Sequence, residues 1–418
     1  MLHALFAEGV AAVSAERCMP EAFDIRPAAG RTLILAVGKA AAAMACVAAG
    51  RVHGPVSGLV VTRKGHSGPP HLLPPEFEVI EAGHPVPDAA SQHAANRALA
   101  LVQDLGACDR LLALISGGGS ALLTLPVSGI SLADKQTVTQ TLLRSGATIA
   151  EINSVRKHLS RIKGGRLAVA AAPAQVTTLI ISDVPGDDPS FVASGPTVVD
   201  ATTLDMAREI IARYRIDVPA NVAEALASTA NETPPSDALG LAGSTVRVIA
   251  VARNALDAAR LFAEGHGYKV TDLGDHLQAE ARHLGAGHAA LARRLAVDGQ
   301  KRVIISGGET TVRVVNPTGR GGRNLEYLLG LAIELDGASG IHAIACDTDG
   351  IDGTEDNAGA TIQPDTLRRA RALGLDARAM LEANDAYGFF AALGDLVVTG
   401  PTRTNVNDLR AILIEGAR

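Results

Sequence analysis

Residues 111–125 read LLALISGGGSALLTL: an unbroken apolar run enters three glycines and a serine, then turns apolar again. The run at 111–115 has the composition of a strand buried on both faces. Glycine lets a backbone come close to a ligand. The start of a following helix adds unpaired N–H groups and the positive end of the helix dipole. Ser116, Gly117, Gly118, Gly119 and Ser120 therefore form a candidate anion cradle at a strand end, and the segment sets the fold class at α/β. The bland alternative is a tight turn that uses glycine for geometry alone.

Working outward, TLILAV at 32–37 is a second buried strand, and Gly38, Lys39 and an Ala-rich helical stretch follow it. A lone lysine is usually a solvated surface group, but ligands of open α/β sheets collect at the edge where this one lies. Residues 58–62, 78–81 and 176–181 predict further strands, and residues 88–105 predict a helix capped by Asp88. Strands alternating with helices mean βαβ units and a mostly parallel sheet. The Pro-, Gly- and Ser-rich text at 230–244, ANETPPSDALGLAGS, predicts a linker. A second series then begins, with strands at 246–251, 268–272, 303–306 and 342–346 and helices at 255–264, 277–296 and 325–335. Two short apolar runs, at 397–398 and 411–414, read as late strands. The predicted domains are 1–240 and 241–394.

Composition agrees with two domains. The chain has 418 residues, above the ~250–300 at which one core stops growing. Apolar residues make up 47% and aromatics only 3%, so the cores rest on Ala, Leu, Val and Ile. A formal charge of −6 and the lack of long Lys/Arg runs exclude nucleic acid as the main partner. Glu8 interrupts the N-terminal apolar pattern, and Lys39 and glycines interrupt residues 33–50, so neither a signal peptide nor a membrane span is expected. Four scattered cysteines without a CxxC pair predict reduced thiols and a cytoplasmic setting. Monomer and homodimer both stay open.

No GxxxxGK[ST] and no GxGxxG occurs, which excludes the two commonest nucleotide grips. A second turn of the same grammar is Ser306, Gly307, Gly308 and Glu309. Residues 151–168 gather Arg156, Lys157, His158, Arg161, Lys163 and Arg166 on a predicted helix and its end. In the run 319–324, Arg320, Arg323 and Asn324 are set among glycines that suit phosphate or carboxylate grip. Two acidic loops, at 181–196 and 346–359, offer Asp183, Asp187, Asp349 and Asp352 as Mg²⁺ ligands or proton acceptors. The second is not an EF-hand, since Asp352 stands where glycine is required. His283 and His288 are five apart, off the metal-binding helical spacing, and read as surface groups.

Taken in order, AVGKAA (36–41), GHPVPD (83–88), SGGGSALL (116–123), EINSVRKHLSRIKGGRLA (151–168) and SDVPGDDPSFVASGPT (182–197) resemble the glycerate 2-kinase family. SGGETTV (306–312), GRGGRNLE (319–326), DTDGIDG (347–353), DNAGA (356–360) and TNVNDL (404–409) extend the likeness along nearly the whole chain. The resemblance implies a Rossmann-like larger domain and a smaller α/β domain carrying the MOFRL segment, with the active site in the cleft between them. It also implies that residues 395–418 return to the larger domain. The implied reaction moves phosphate from ATP, with Mg²⁺, to the 2-hydroxyl of D-glycerate. The family's reactive lysine falls on Lys39 and its active-site arginine on Arg323, with Asn405 counted among the binding residues. Leu325 stands where Gln is commoner, beside Arg323, and Arg403 where Gly is commoner. Members often carry the label hydroxypyruvate reductase. That rival, and a non-catalytic anion binder, are the alternatives to a kinase.

Overall fold

The structure, a computed structural model, describes residues 1–21, 30–69 and 71–416. It falls into two compact units, Cys18–Ile249 and Met1–Arg17 with Ala250–Arg418.

In the first unit, β1 (Thr32–Val37), β2 (Val56–Arg63), β3 (Phe77–Ala82), β4 (Arg110–Ile115), β5 (Gln175–Ile181) and β6 (Thr245–Ala250) form one sheet. Its order is β3-β2-β1-β4-β5-β6, and the pairs from β3 through β5 are parallel. Every residue of β1 and β4 is buried, as continuous apolar runs require when both faces are covered. The helix Ala89–Gln103 lays Ala94, Ala95, Ala98, Leu99 and Val102 into that core. It starts where the sequence places it: the Asp88 carboxylate accepts the Ser91 N–H at 3.0 Å, and the Ser91 hydroxyl accepts the Asp88 N–H at 3.0 Å. Connections run to opposite sides from β1 and β4, so the crevice of this doubly wound order opens at their C-terminal ends.

The second unit has β7 (Lys269–Asp272), β8 (Arg302–Gly308), β9 (Ile341–Asp347), β10 (Gly359–Ile362), β11 (Leu396–Val397) and β12 (Asp408–Ile414), in the order β11-β10-β9-β12-β8-β7. β12 runs antiparallel to both neighbours, which puts Asp408 opposite Gly308 of β8 and Asp347 of β9. The helices Ala281–Ala296 and Arg323–Leu335 pack on one face of this sheet, with Leu325, Leu328, Leu329 and Phe390 in the core. The N-terminal helix Leu2–Ala12 packs against the helix Ala252–Gly265 and β12.

Two boundaries differ from the sequence expectation. The strand predicted to open the second series is β6, and it joins the first sheet, so the division falls at 249/250 and the Pro-rich text at 230–244 lies within the first unit. Residues 395–416 do not complete that first unit, because β12 lies in the middle of the second sheet; residues 417 and 418 lie outside the described residues. A buried apolar strand carries no local mark of which sheet will accept it. The basic segment 151–168 also divides, into the helices Ile149–His158 and Arg166–Ala170, with the break around Ser160–Gly165.

Candidate functional site

At the crevice of the first sheet, the loops after β1 and β4 are bolted together. The Ala40 N–H donates to Ser116 Oγ at 3.0 Å and the Lys39 N–H donates to the Gly117 carbonyl at 3.0 Å. A side chain at Gly38 is impossible without rearrangement: φ is +123° and a Cβ would lie 2.2 Å from Ser116 Oγ. Gly118 is also left-handed, at φ +83°, and its open face is where the Lys39 stem passes, 3.5 Å from an imagined Cβ, with His84 at 3.1 Å. Lys39, His84 and the glycine turn therefore meet at one point. Ser116 is fully buried and its hydroxyl is spent on joining the loops, so its part is structural rather than ligand-facing.

The far wall comes from the helix Ile149–His158 and from Val192–Gly195. Ser120 Oγ and Ser194 Oγ lie 2.5 Å apart, and the Ser194 hydroxyl also reaches Asn153 Oδ1 at 3.3 Å. Lys163 Nζ donates to the carbonyls of Ser120 (2.9 Å) and Ala193 (3.3 Å), which clamps the turn to that wall. Ala193 and Ser194 hold φ of 52° and 60°, a strained conformation for side-chain-bearing residues. A depression of about 150 Å³ results, lined by Gly118, Ser120, Asn153, Arg156, Asp183 and Ala193 among others. Of the sequence candidates it gathers Gly118, Ser120, Arg156 and Asp183. Asp187, in the same loop as Asp183, does not line it. His84, Asn153, Ser194 and Lys163 were not singled out as ligand-facing in the sequence. GHPVPD and VASGP hold two of them, but neither string has a chemistry readable without the fold.

In the second unit Arg323 opens the helix Arg323–Leu335 and reaches three carboxylates: Asp408 at 2.9 Å, Asp347 at 2.8 Å and Glu309 at 2.7 Å. Burial acts to lower its pKa, but Asp408, Asp347 and Glu309 together raise it well above the ordinary value, so it stays charged. Glu309 is half-exposed, whereas Asp347 and Asp408 are buried. The Arg410 guanidinium lies beneath, on the carbonyls of Gly307 (3.0 Å) and Gly308 (2.9 Å) and on Asp408 (2.7 Å).

Those contacts change the reading of several candidates. Ser306, Gly307 and Gly308 are strand residues of β8 rather than a turn. The Gly307 N–H donates to the Gly274 carbonyl at 2.8 Å, and a Cβ at Gly308 would strike the Leu277 backbone at 2.4 Å, so these glycines serve packing. Arg320 pairs with Glu355 at 2.6 Å and stacks on Tyr387. Asn324 is buried and donates to Asp408 at 2.8 Å. Asp352 caps the helix start, accepting from the Asn324 N–H (3.1 Å) and the Leu325 N–H (3.0 Å); burial, then the neighbouring Asp408, pushes its pKa up to about 6. Asp349 accepts the Ile351 N–H at 2.8 Å, and Asn405 accepts the Asn407 N–H at 3.3 Å. Leu325 points into the core, not toward Arg323's partners. Arg403 has φ of 60°, the left-handed region in which glycine costs least. His288 is buried against the Tyr327 hydroxyl at 2.9 Å, whereas His283 is exposed as expected. Among the described residues no group of three His, Cys, Asp or Glu side chains is placed to hold a metal ion. No helix among them is long and apolar enough to cross a membrane.

The chain matches two family patterns, "Domain of unknown function (DUF4147)" over residues 1–227 and "MOFRL family" over residues 302–408. It is 40% identical to the D-glycerate 2-kinase of Thermotoga maritima over 385 residues, covering 91% of this chain and 89% of that one. The chain belongs to the glycerate 2-kinase family. A solved glycerate kinase structure from Thermotoga maritima superposes with a TM-score of 0.86 at 37% identity, covering 98% of both chains. A relative from Agrobacterium vitis, 52% identical over 420 residues (99% of this chain, 94% of that one), carries the name "Putative hydroxypyruvate reductase". The glycerate 2-kinase family likeness thus spans both units.

Proposed function

We propose that this chain is an ATP-dependent D-glycerate 2-kinase working in the cytoplasm. The observation that carries the reading is the Lys39–Gly118–Ser120–Arg156 edge at the crevice of the first sheet, in a chain similar from end to end to glycerate kinases. Left-handed glycine, helix-start amides and cations are what a phosphorylated ligand needs. The first unit is read as Rossmann-like on its strand order, and it does its work without the dinucleotide fingerprint.

In the reaction the bond between the γ-phosphorus and the β–γ bridging oxygen breaks and a bond to the glycerate 2-oxygen forms. The 2-hydroxyl proton leaves to Asp183, the carboxylate lining the same depression as Arg156 and Ser120. Lys39 neutralises charge on the transferring group. In the second unit Arg323 is the cation read as phosphate-binding: its half-exposed partner Glu309 is exchangeable for an anionic oxygen, while Asp347 and Asp408 keep the guanidinium in place. With Asp183 as base and Asp352 committed to helix amides, Asp187 of the first unit or Asp349 of the second is the carboxylate that would hold Mg²⁺ alongside substrate phosphates, and no step is routed through the ion. When bound, such an ion would supply charge neutralisation on the phosphate oxygens.

The rival reading, reduction of hydroxypyruvate by NAD(P)H, is favoured by the name of the Agrobacterium vitis relative. Purified protein given D-glycerate, ATP and Mg²⁺ should release ADP, while hydroxypyruvate with NADH or NADPH should leave the reduced cofactor intact. Cofactor oxidation without ADP release would reverse the assignment. Neither reaction would leave a small-anion binder.

A further inference from the structure

Beside the depression at Ser120 and Arg156 lies a larger cavity in the same unit, about 490 Å³. The two share Ser120, Ile149 and Arg156 as a common wall. Glycerate has only three carbons, so the smaller depression suffices for it. The larger cavity has the size and largely apolar walls of a small-molecule site.

Its chemistry is of two kinds. Val86, Leu143 and Ile149 line it and are 63%, 60% and 57% exposed, an unusual gathering of large apolar side chains around one opening. Lys135, Arg156 and Lys163 line it too, and among the described residues no carboxylate forms an ion pair with any of them. Lys135 Nζ donates only to the carbonyls of Arg156 (3.1 Å) and Leu159 (3.0 Å), and Lys163 Nζ to those of Ser120 and Ala193. Burial and the surrounding cations hold both ammonium groups well below the usual lysine range. Arg156 keeps its charge there, and an anion beside Lys135 and Lys163 would favour their charged forms in turn, so the cluster calls for an anion. The walls are already fixed: Gln136 Nε2 donates to the Pro87 carbonyl at 2.7 Å, which ties the helix Leu132–Arg144 to the Pro85–Pro87 wall.

The fitting ligand has an anionic chain at the shared wall and a flat, mainly apolar body with polar edges for Gln136, Gln140 and Thr137. We propose that this cavity is the nucleoside subsite: it holds the base and ribose of the phosphoryl donor, and Ser120 and Arg156 meet its phosphates. The inference rests on the kinase reading for the choice of a nucleotide, and its test is separable from that reading.

The test uses the full chain and two neutral variants, the double substitution Val86→Gln/Leu143→Gln and the cavity-filling Ala133→Trp, all at exposed positions that line the larger cavity alone. Calorimetry measures binding of adenosine 5′-(β,γ-imido)triphosphate and, separately, of inorganic tripolyphosphate. Both variants should weaken the nucleotide analogue at least about tenfold, the scale set by one lost apolar contact, and leave tripolyphosphate within about twofold. The KM for ATP should rise with it, and the KM for D-glycerate should not. Unchanged affinity for the analogue in both variants would overturn the subsite. So would equal weakening of tripolyphosphate, a rise in the glycerate KM instead, or no binding of the analogue by the unaltered protein. Analogue binding that is lost in the variants, in a protein without kinase activity, would keep the subsite and reject the kinase.

Discussion

Replacing Arg323 by alanine should weaken the second unit severely as well as stop turnover. The substitution takes the guanidinium away from Asp408 and Asp347, whose side chains are 0% and 5% exposed, in a cluster that also contains Asp352 and Asp349. Removing one partner of a buried ion pair costs ~3–5 kcal/mol, because the remaining charge is left without compensation. Glu309 adds little, being half-exposed. Arg410 still donates to Asp408 at 2.7 Å, which keeps the loss toward the lower half of that range. For a unit of this size ~2–4 °C of melting temperature goes with each kcal/mol, so the transition should fall by ~6–15 °C. Thermal unfolding followed by circular dichroism measures it. If the penalty is uncompensated charge, adding Asp347→Asn and Asp408→Asn to an Arg323→Met background should recover much of the loss. A melting temperature within about 2 °C of the unaltered protein for Arg323→Ala, or no recovery in the triple variant, would refute this account of the cluster. Arg323→Lys separates stability from chemistry. It keeps the charge but not the three-way reach, and should retain most of the stability with kcat/KM lowered by about a hundredfold or more.

Three further outcomes follow from the same geometry. Lys39→Met should keep the fold, since the loop is held by the Lys39 backbone N–H, but lower kcat/KM by about 10²–10³-fold; near-normal turnover in the ADP assay would remove Lys39 from the mechanism. Gly38→Ala should cost ~2–5 kcal/mol in chemical denaturation through strain at φ +123° and the clash with Ser116, against ~1 kcal/mol for Gly146→Ala, which is left-handed but in open space; equal costs would contradict the assigned clash. Asp352 binds its proton more tightly folded, with a pKa of about 6, than unfolded, at 3.8. Its contribution is therefore fully present below about pH 4 and is lost as pH rises through 6, by ~3 kcal/mol. Urea unfolding of the unaltered protein and of Asp352→Asn across this range should show the stability difference drifting by that amount; a constant difference would remove Asp352 as its source.

Much of the first sheet was legible because its signals are local. TLILAV and LLALI are buried on both faces, and each ends in the glycine that its loop geometry demands at Gly38 and Gly118. Asp88 announced its helix for the same reason. What escaped was decided at a distance. β6 and β12 look like any short apolar strand, and only pairing assigns the one to the first sheet and the other to a slot between β8 and β9. β10, in DNAGATI, is four residues long and opens on a glycine, so propensity gave no warning. The Ser-Gly-Gly strings at 116 and 306 are near twins in sequence, yet one is a turn facing a depression and the other is the end of β8, sealed by Arg410, a residue about a hundred positions away. Asp352, suited to a metal in composition, became a helix cap, because the Asn324 and Leu325 amides reach it first. Lys163 looked like one cation in a solvated row, and folding buried it under the glycine turn.

The most direct test of the central claim is the position of the new phosphate. Product formed from D-glycerate and ATP, freed of protein, is given to enolase alone. Attack at the 2-hydroxyl yields 2-phosphoglycerate, which enolase dehydrates to phosphoenolpyruvate in step with the ADP released. A product that releases ADP but reacts only after a phosphoglycerate mutase is added would place the phosphate on the 3-hydroxyl and contradict the assignment.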